Sequence, residues 1–197
     1  MPELLVFVED SAQEKFLSAM LKRMAAERSI PLTIRIRTAR GGMAKVLGQL
    51  EDFANEVEKS RARMPDGLVI GVDANCRGFQ ERRKAVQERA GRLRDFIVHA
   101  IPDPHIERWF LLDGEAFKAA VGRGCKAPDA KCEKERYKRL LNTAVLDAGV
   151  QPLLGGVEYA EDIVKDYHIQ RVADLDESFG KLVAEFRIWL NRQQQIL

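Results

Sequence analysis

The stretch Leu68-Val69-Ile70-Gly71-Val72-Asp73-Ala74-Asn75 decides how this chain is read. Its apolar run ends in a carboxylate and, two residues later, an amide, with Cys76, Arg77 and Gly78 behind it. A continuous apolar run of this length predicts a buried strand of a parallel sheet with helices on both faces. Ligands of such sheets gather just past the carboxyl ends of the strands, and Asp73 stands at that end.

Upstream, Leu4 to Val8 is a second apolar run, and it meets Glu9-Asp10. Ser11 with Glu14 three residues on reads as a capping box. The helix it opens runs through about Glu27, with Phe16, Leu17, Met20, Leu21 and Met24 at helical spacing. After Pro31, the alternation of Leu32 to Arg37 predicts an edge-like strand. Gly41-Gly42 breaks it, and a helix from Met43 to Lys59 carries Val46, Leu47, Leu50, Phe53 and Val57 on one stripe.

Downstream, Gly78 to Asp95 reads as a charged surface helix and Phe96 to Ile101 as a fourth strand. Pro102-Asp103-Pro104 forces a sharp exit, because proline continues neither strand nor helix pairing. A short helix from His105 to Asp113 follows, then helices at Glu115–Val121, Lys131–Ala148, Glu158–Tyr167 and Asp176–Gln194. This order predicts an α/β fold, a mainly parallel four-stranded sheet flanked by helices, with a helical C-terminal part. Residues 1–113 are expected to form the α/β core. Residues 114–197 are expected to be a helical extension packed on the same domain, including a basic loop-helix segment at 122–148.

At 197 residues, 46% apolar and 31% charged, the chain can bury a substantial core. No apolar run approaches the ~18 residues of a membrane helix. The N-terminus lacks the basic start and cleavage site of a signal peptide. A cytoplasmic protein with no membrane partner is the expectation. Cys76, Cys125 and Cys132 are odd in number and lack metal-knuckle spacing, so free thiols are expected in place of a disulfide framework or a zinc site.

The net charge of +2 is unevenly spread. Between Arg77 and Arg94 seven cations face two acids, and between Arg123 and Arg139 seven face three. From Asp147 to Glu185 the balance reverses, nine acids against Lys165, Arg171 and Lys181. Such asymmetry fits one face meeting a polyanion, and solvated helix faces are the plainer alternative. Arg77, Arg82, Arg83, Lys84, Lys126 and Lys131 are the candidate nucleic-acid contacts.

Three acids fall where the chain leaves the strands: Glu9 after the first, Asp73 after the third, Glu107 beyond the fourth. Core packing asks for none of them. Clustered carboxylates raise one another's pKa unless a cation sits between them. Magnesium, bound through one or two carboxylates plus waters and phosphate oxygens, suits a sparse acidic edge. His105 adds a group able to transfer protons near neutrality. Trp109 and Trp189 read as core residues.

Glu9 in Val-Phe-Val-Glu-Asp-Ser resembles the first motif of the Toprim fold, shared by topoisomerases, primases and OLD (overcoming lysogenization defect) nucleases. Asp73 in Val-Ile-Gly-Val-Asp-Ala-Asn is similar to the Toprim aspartate motif. Pro102 to Leu112 resembles a Glu-x-Trp-Leu-Leu segment of small stand-alone Toprim-like proteins encoded beside ATPases in anti-phage systems. The resemblance covers roughly residues 3 to 113. It implies a magnesium- or manganese-dependent nuclease, or nuclease-like subunit, acting on DNA or RNA, with Glu9, Asp73 and Asn75 on the metal and Glu9, Asp73 and Glu107 catalytic. It also implies an ATPase partner, and it allows a homo-oligomer. Two positions depart from the family: Asp10 stands where glycine is usual, and Asn75 where a second aspartate is usual. The substitution at Asn75 favours an alternative, a non-catalytic sensor or regulatory subunit of an ATPase complex. A receiver-type phosphoacceptor is disfavoured, because no lysine lies between residues 95 and 117.

Overall fold

The computed structural model describes residues 1–133 and 135–196. Its sheet comprises β1 (Glu3–Val8), β2 (Thr33–Thr38), β3 (Gly67–Gly71) and β4 (Ile97–Ala100), all parallel, in the order β2-β1-β3-β4. The register sets Val6 beside Ile36 and Val69, and Val69 beside Val98. The α/β class with a four-stranded parallel sheet and a helical C-terminal part is therefore the fold this chain adopts.

The central strands β1 and β3 are apolar throughout because both of their faces are covered. Leu4, Val6, Val8, Val69 and Val98 face one hydrophobic cluster, while Leu5, Phe7, Leu68, Ile70 and Ile97 face another. The second cluster takes α2 (Met43–Glu58) and α3 (Gly78–Ala90) through Val46, Leu50, Phe53, Phe79 and Val86. The first takes α1 (Ser11–Ala26) and α4 (Ile106–Leu111), together with α5 (Gly114–Val121), α6 (Arg136–Asp147), α7 (Ala160–Lys165), α8 (Ile169–Leu175) and α9 (Glu177–Gln194). Phe16 of α1 is its centre, with ring centroids 4.9 Å from Phe110, 5.9 Å from Tyr167 and 6.0 Å from Trp109. β2 is the edge strand that its alternating sequence implies.

Several local expectations are corrected. The N-cap of α1 is Asp10, whose Oδ1 accepts the amides of Ala12 and Gln13 at 3.0 Å, and not Ser11. Glu14 instead takes the Thr38 hydroxyl at 2.6 Å. The third strand stops at Gly71, short of Asn75, and α3 stops at Ala90, where Gly91 adopts φ 55 and a 3-10 turn carries the chain to Phe96. The helix expected from Lys131 begins at Arg136; Lys134, within that expected span, lies outside the described residues. Helix α8 had no counterpart in the sequence reading.

The expectation of three free thiols is also corrected. Cys76 and Cys132 form a disulfide with Cα atoms 5.3 Å apart, leaving Cys125 free. Sequence spacing could not show this, because the partners stand 56 positions apart and the chain between them folds back through α3, β4, α4 and α5. Among the described residues no helix is long and apolar enough to cross a membrane.

Candidate functional site

Past the ends of β3 and β4 the two segments keep pairing without being strands. The amides of Val72, Ala74 and Asn75 donate to the carbonyls of Ala100, Pro102 and Pro104 at 3.1, 2.9 and 3.1 Å. Proline lacks a donor but keeps its acceptor, so the two prolines can serve this one-sided ladder. It carries Asp73 alongside the start of α4. There Asp73 Oδ1 accepts the Ile106 amide at 3.1 Å, and Oδ2 faces His105 Nδ1 at 3.1 Å.

Glu9 approaches from β1. Its Oε1 accepts the Asp73 amide at 2.8 Å. Gln13, one turn into α1 and fully buried, joins the two acids: its Oε1 accepts the Glu9 amide at 2.9 Å and its Nε2 donates to Asp73 Oδ1 at 3.0 Å. Glu107 is 3% exposed on α4. Burial raises Glu9 to about 7, helped by the charge of Asp73, and burial with the same neighbour raises Glu107 to about 7. Asp73 is itself raised by burial, against the lowering effect of His105 and Gln13. The His105 imidazole is raised chiefly by its bond to Asp73. Three carboxylates from three connections thus compete for charge on one edge.

Two cations flank the cluster. Arg82 donates Nε to the Ala74 carbonyl at 3.0 Å, and its charge lowers Glu9 slightly. Lys138 of α6 is pushed down by burial, but the carboxylates of Glu107, Glu135 and Asp10 leave it raised overall. Next to it, the Tyr137 ring lies 6.1 Å from that of His105.

The remaining sequence candidates fall elsewhere. Asn75 is exposed in a left-handed turn, φ 47, followed by Cys76 at φ 67. Arg77 pairs with Glu81 at 3.1 Å, Lys84 with Glu88 at 3.9 Å and Lys131 with Asp129 at 3.4 Å, all on the surface. Arg83 turns toward Glu185 of α9, 3.7 Å away, on the β4 side of the sheet. Lys126 lines an open cavity of about 780 Å³ with Arg123 and Arg136. Trp109 and Trp189 are buried.

Sequence reasoning missed Gln13 and Lys138. A glutamine beside Ala12 on the otherwise apolar face that carries Phe16 and Leu17 was the available signal. Lys138 had none, since only the tertiary fold brings α6 to this edge.

No family model and no curated protein matches the chain. Among solved structures it is similar to a low molecular weight protein tyrosine phosphatase from Bacillus subtilis. The identity is 11%, over 95% of this chain and 97% of that one, with a TM-score of 0.32.

The donors at this edge are hard oxygens, which suit magnesium by type. As a set, however, Glu9, Asp73 and Glu107 are not drawn tightly together. Among the described residues, the acid and histidine group whose ligand atoms lie within 4.8 Å of one another is Asp113, Glu115 and His168. Its centre is already neutralised. Asp113 Oδ1 caps α5 through the amides of Glu115 and Ala116 and binds Arg171 at 2.5 Å, while Oδ2 accepts the His168 amide at 2.7 Å. That group fastens α5 to α8.

Proposed function

We propose that this protein is a Toprim-like, magnesium-dependent nuclease or nuclease-like subunit acting on nucleic-acid phosphodiesters. The observation that carries the reading is the shared setting of Glu9, Asp73 and Glu107, in which burial, helped by the charge of Asp73, raises both glutamates toward neutrality. Buried acids held this way take up either protons or a cation, and a divalent ion is the counter-charge that phosphodiester chemistry uses. Glu9 and Asp73 would hold the ion with Glu107 beside them, and the ion would polarise the phosphoryl group. Gln13 and the Ile106 amide orient Asp73, His105 holds its second oxygen, and Lys138 offers a cation for a phosphate. A role in anti-phage defence beside an ATPase belongs to the same proposal.

The test is cleavage of plasmid and single-stranded DNA and RNA with magnesium or manganese, comparing the wild type with Asp73→Asn and Glu9→Gln. Activity lost in both variants supports the proposal, and activity that survives both defeats it.

One observation favours the alternative, a non-catalytic sensor or regulatory subunit of an ATPase complex. Asp73 already takes three hydrogen bonds on its two oxygens. Calorimetry showing no magnesium binding, together with co-purification of an ATPase, would move the assignment there.

A further inference from the structure

The Cys76–Cys132 cross-link joins two segments of opposite character. Cys76 follows Asp73 by three residues, in the turn whose Asn75 amide is bonded to Pro104. Cys132 lies in residues 124–133, which form neither helix nor strand and are mostly exposed. This strap carries Lys126 and Lys131 and leads into α6, which brings Tyr137 and Lys138 to the carboxylates. Its other ties are hydrogen bonds and ion pairs. The Pro128 carbonyl accepts Arg108 Nε at 3.3 Å, and the Cys125 thiol reaches the Leu111 carbonyl at 3.6 Å. The Tyr137 hydroxyl reaches the carbonyls of Asp129 and Lys131 at 2.7 Å, and Asp129 and Glu133 pair with Arg136 and Arg139. Ala130 lies against a cavity of about 450 Å³ lined by Arg77, Asp103, Arg108, Asp176, Glu177 and Lys181. Both cysteines are exposed, so a reductant can reach the bond.

We infer that the disulfide is a redox latch that fixes this strap to the turn after Asp73, and with it the approach of α6 to the carboxylate site. The inference rests on the proposed function for the meaning of that site. A dithiol reductant opens the latch in two exchanges: one thiolate attacks a sulfur to give a mixed disulfide, and its second thiol resolves that bond. Two electrons and two protons pass to Cys76 and Cys132, and the reductant leaves as its own disulfide. A disulfide oxidant such as oxidised glutathione closes the latch by the reverse steps. While closed, the latch holds the strap, and Lys138 just beyond it, beside the path of a phosphate backbone; once open, the strap is held by its hydrogen bonds and ion pairs alone.

The test uses the intact protein, oxidised or reduced with a dithiol, beside Cys76→Ser, Cys132→Ser and a Cys125→Ser control. Trypsin cleavage after Lys126 and Lys131 is expected to quicken by roughly tenfold on reduction, as local opening of the strap becomes easier. Both latch variants should be fast under either condition, and Cys125→Ser should respond as the wild type does. A labelled single-stranded oligonucleotide is expected to bind about three- to tenfold more weakly to the reduced protein, the scale of a few side chains freed at an interface. Equal trypsin cleavage in both states, or oligonucleotide binding that is present but indifferent to reduction, overturns the latch. A redox-dependent strap in a protein that neither binds nor cleaves nucleic acid leaves the latch standing and defeats the nuclease reading instead.

Discussion

The Asp73 amide donates to Glu9 Oε1 at 2.8 Å, so the acid that ends β1 is anchored on the backbone of the acid that follows β3. These residues are 64 apart in sequence, and neighbouring parallel strands make them partners. The bond leaves Glu9 Oε2 beside Gly42, whose φ of 76 starts α2. Glu9→Gln keeps the shape and this bond while removing charge. Its fold should therefore survive, whereas metal-dependent cleavage should fall by at least about 100-fold, the usual scale for a group acting on the reacting phosphate. Thermal denaturation beside a cleavage assay separates the two effects.

Gln13 ties the same two acids from below. Gln13→Leu removes the acceptor of the part-buried Glu9 amide and a donor to Asp73, and each unmet partner costs roughly 1–3 kcal/mol. Urea denaturation should show a loss of about 2 kcal/mol or more on that scale, together with weaker cleavage. A variant as stable as the wild type would mean that the bridge is not needed.

Glu9 and Glu107 titrate near 7 in the fold, above the ordinary glutamate value of 4.5, so the folded protein binds more protons than the unfolded chain between those values. Stability then falls as pH rises from about 4.5 through 7 and levels off above that, the opposite of a salt-bridged acid. For Glu107 the full shift corresponds to something on the order of 3 kcal/mol. Glu107→Gln should flatten the decline in melting temperature between about pH 5 and pH 8, and magnesium should raise that temperature at the upper pH only. Calorimetric scans across pH, with and without magnesium, check both statements.

Arg108 and Asp176 form a buried ion pair behind the site. Asp176 also caps α9 through the Phe179 amide at 2.8 Å and takes the Ser178 hydroxyl at 2.6 Å. Ser178 in turn receives the Trp109 indole and the Asp103 amide, both at 3.2 Å. Removing one partner leaves the other charge buried, so Arg108→Ala should cost about 3–5 kcal/mol. A loss below about 1 kcal/mol, the value of a surface pair, would show that this pair is solvated in solution.

Gly67 opens β3 directly under Trp189, and an added Cβ would collide with the indole. That indole donates to the Asp66 carbonyl at 2.8 Å, which fixes its position. Gly67→Ala should therefore destabilise by about 1–3 kcal/mol through overpacking and shift the tryptophan emission. Unfolding followed by fluorescence reads both changes.

Sequence by itself determined the sheet, because unbroken apolar runs at Leu4–Val8 and Leu68–Val72 are stable only between two covered faces, and each ends in an acid. It also placed Glu9, Asp73 and Glu107 at the exits from strands. Only the tertiary structure decided which neighbours those acids meet. Gln13 reads as one more helix residue until α1 docks, and only the fold sets Asn75 in an exposed left-handed turn. The distant segment around Lys138 arrives at the edge only through the packing of α6 on α4. Cys76 and Cys132 look like free thiols until the chain between them folds back. Periodicity reports which face of an element is buried, a local property. Side-chain partnership depends on three-dimensional distance, which one-dimensional spacing does not carry.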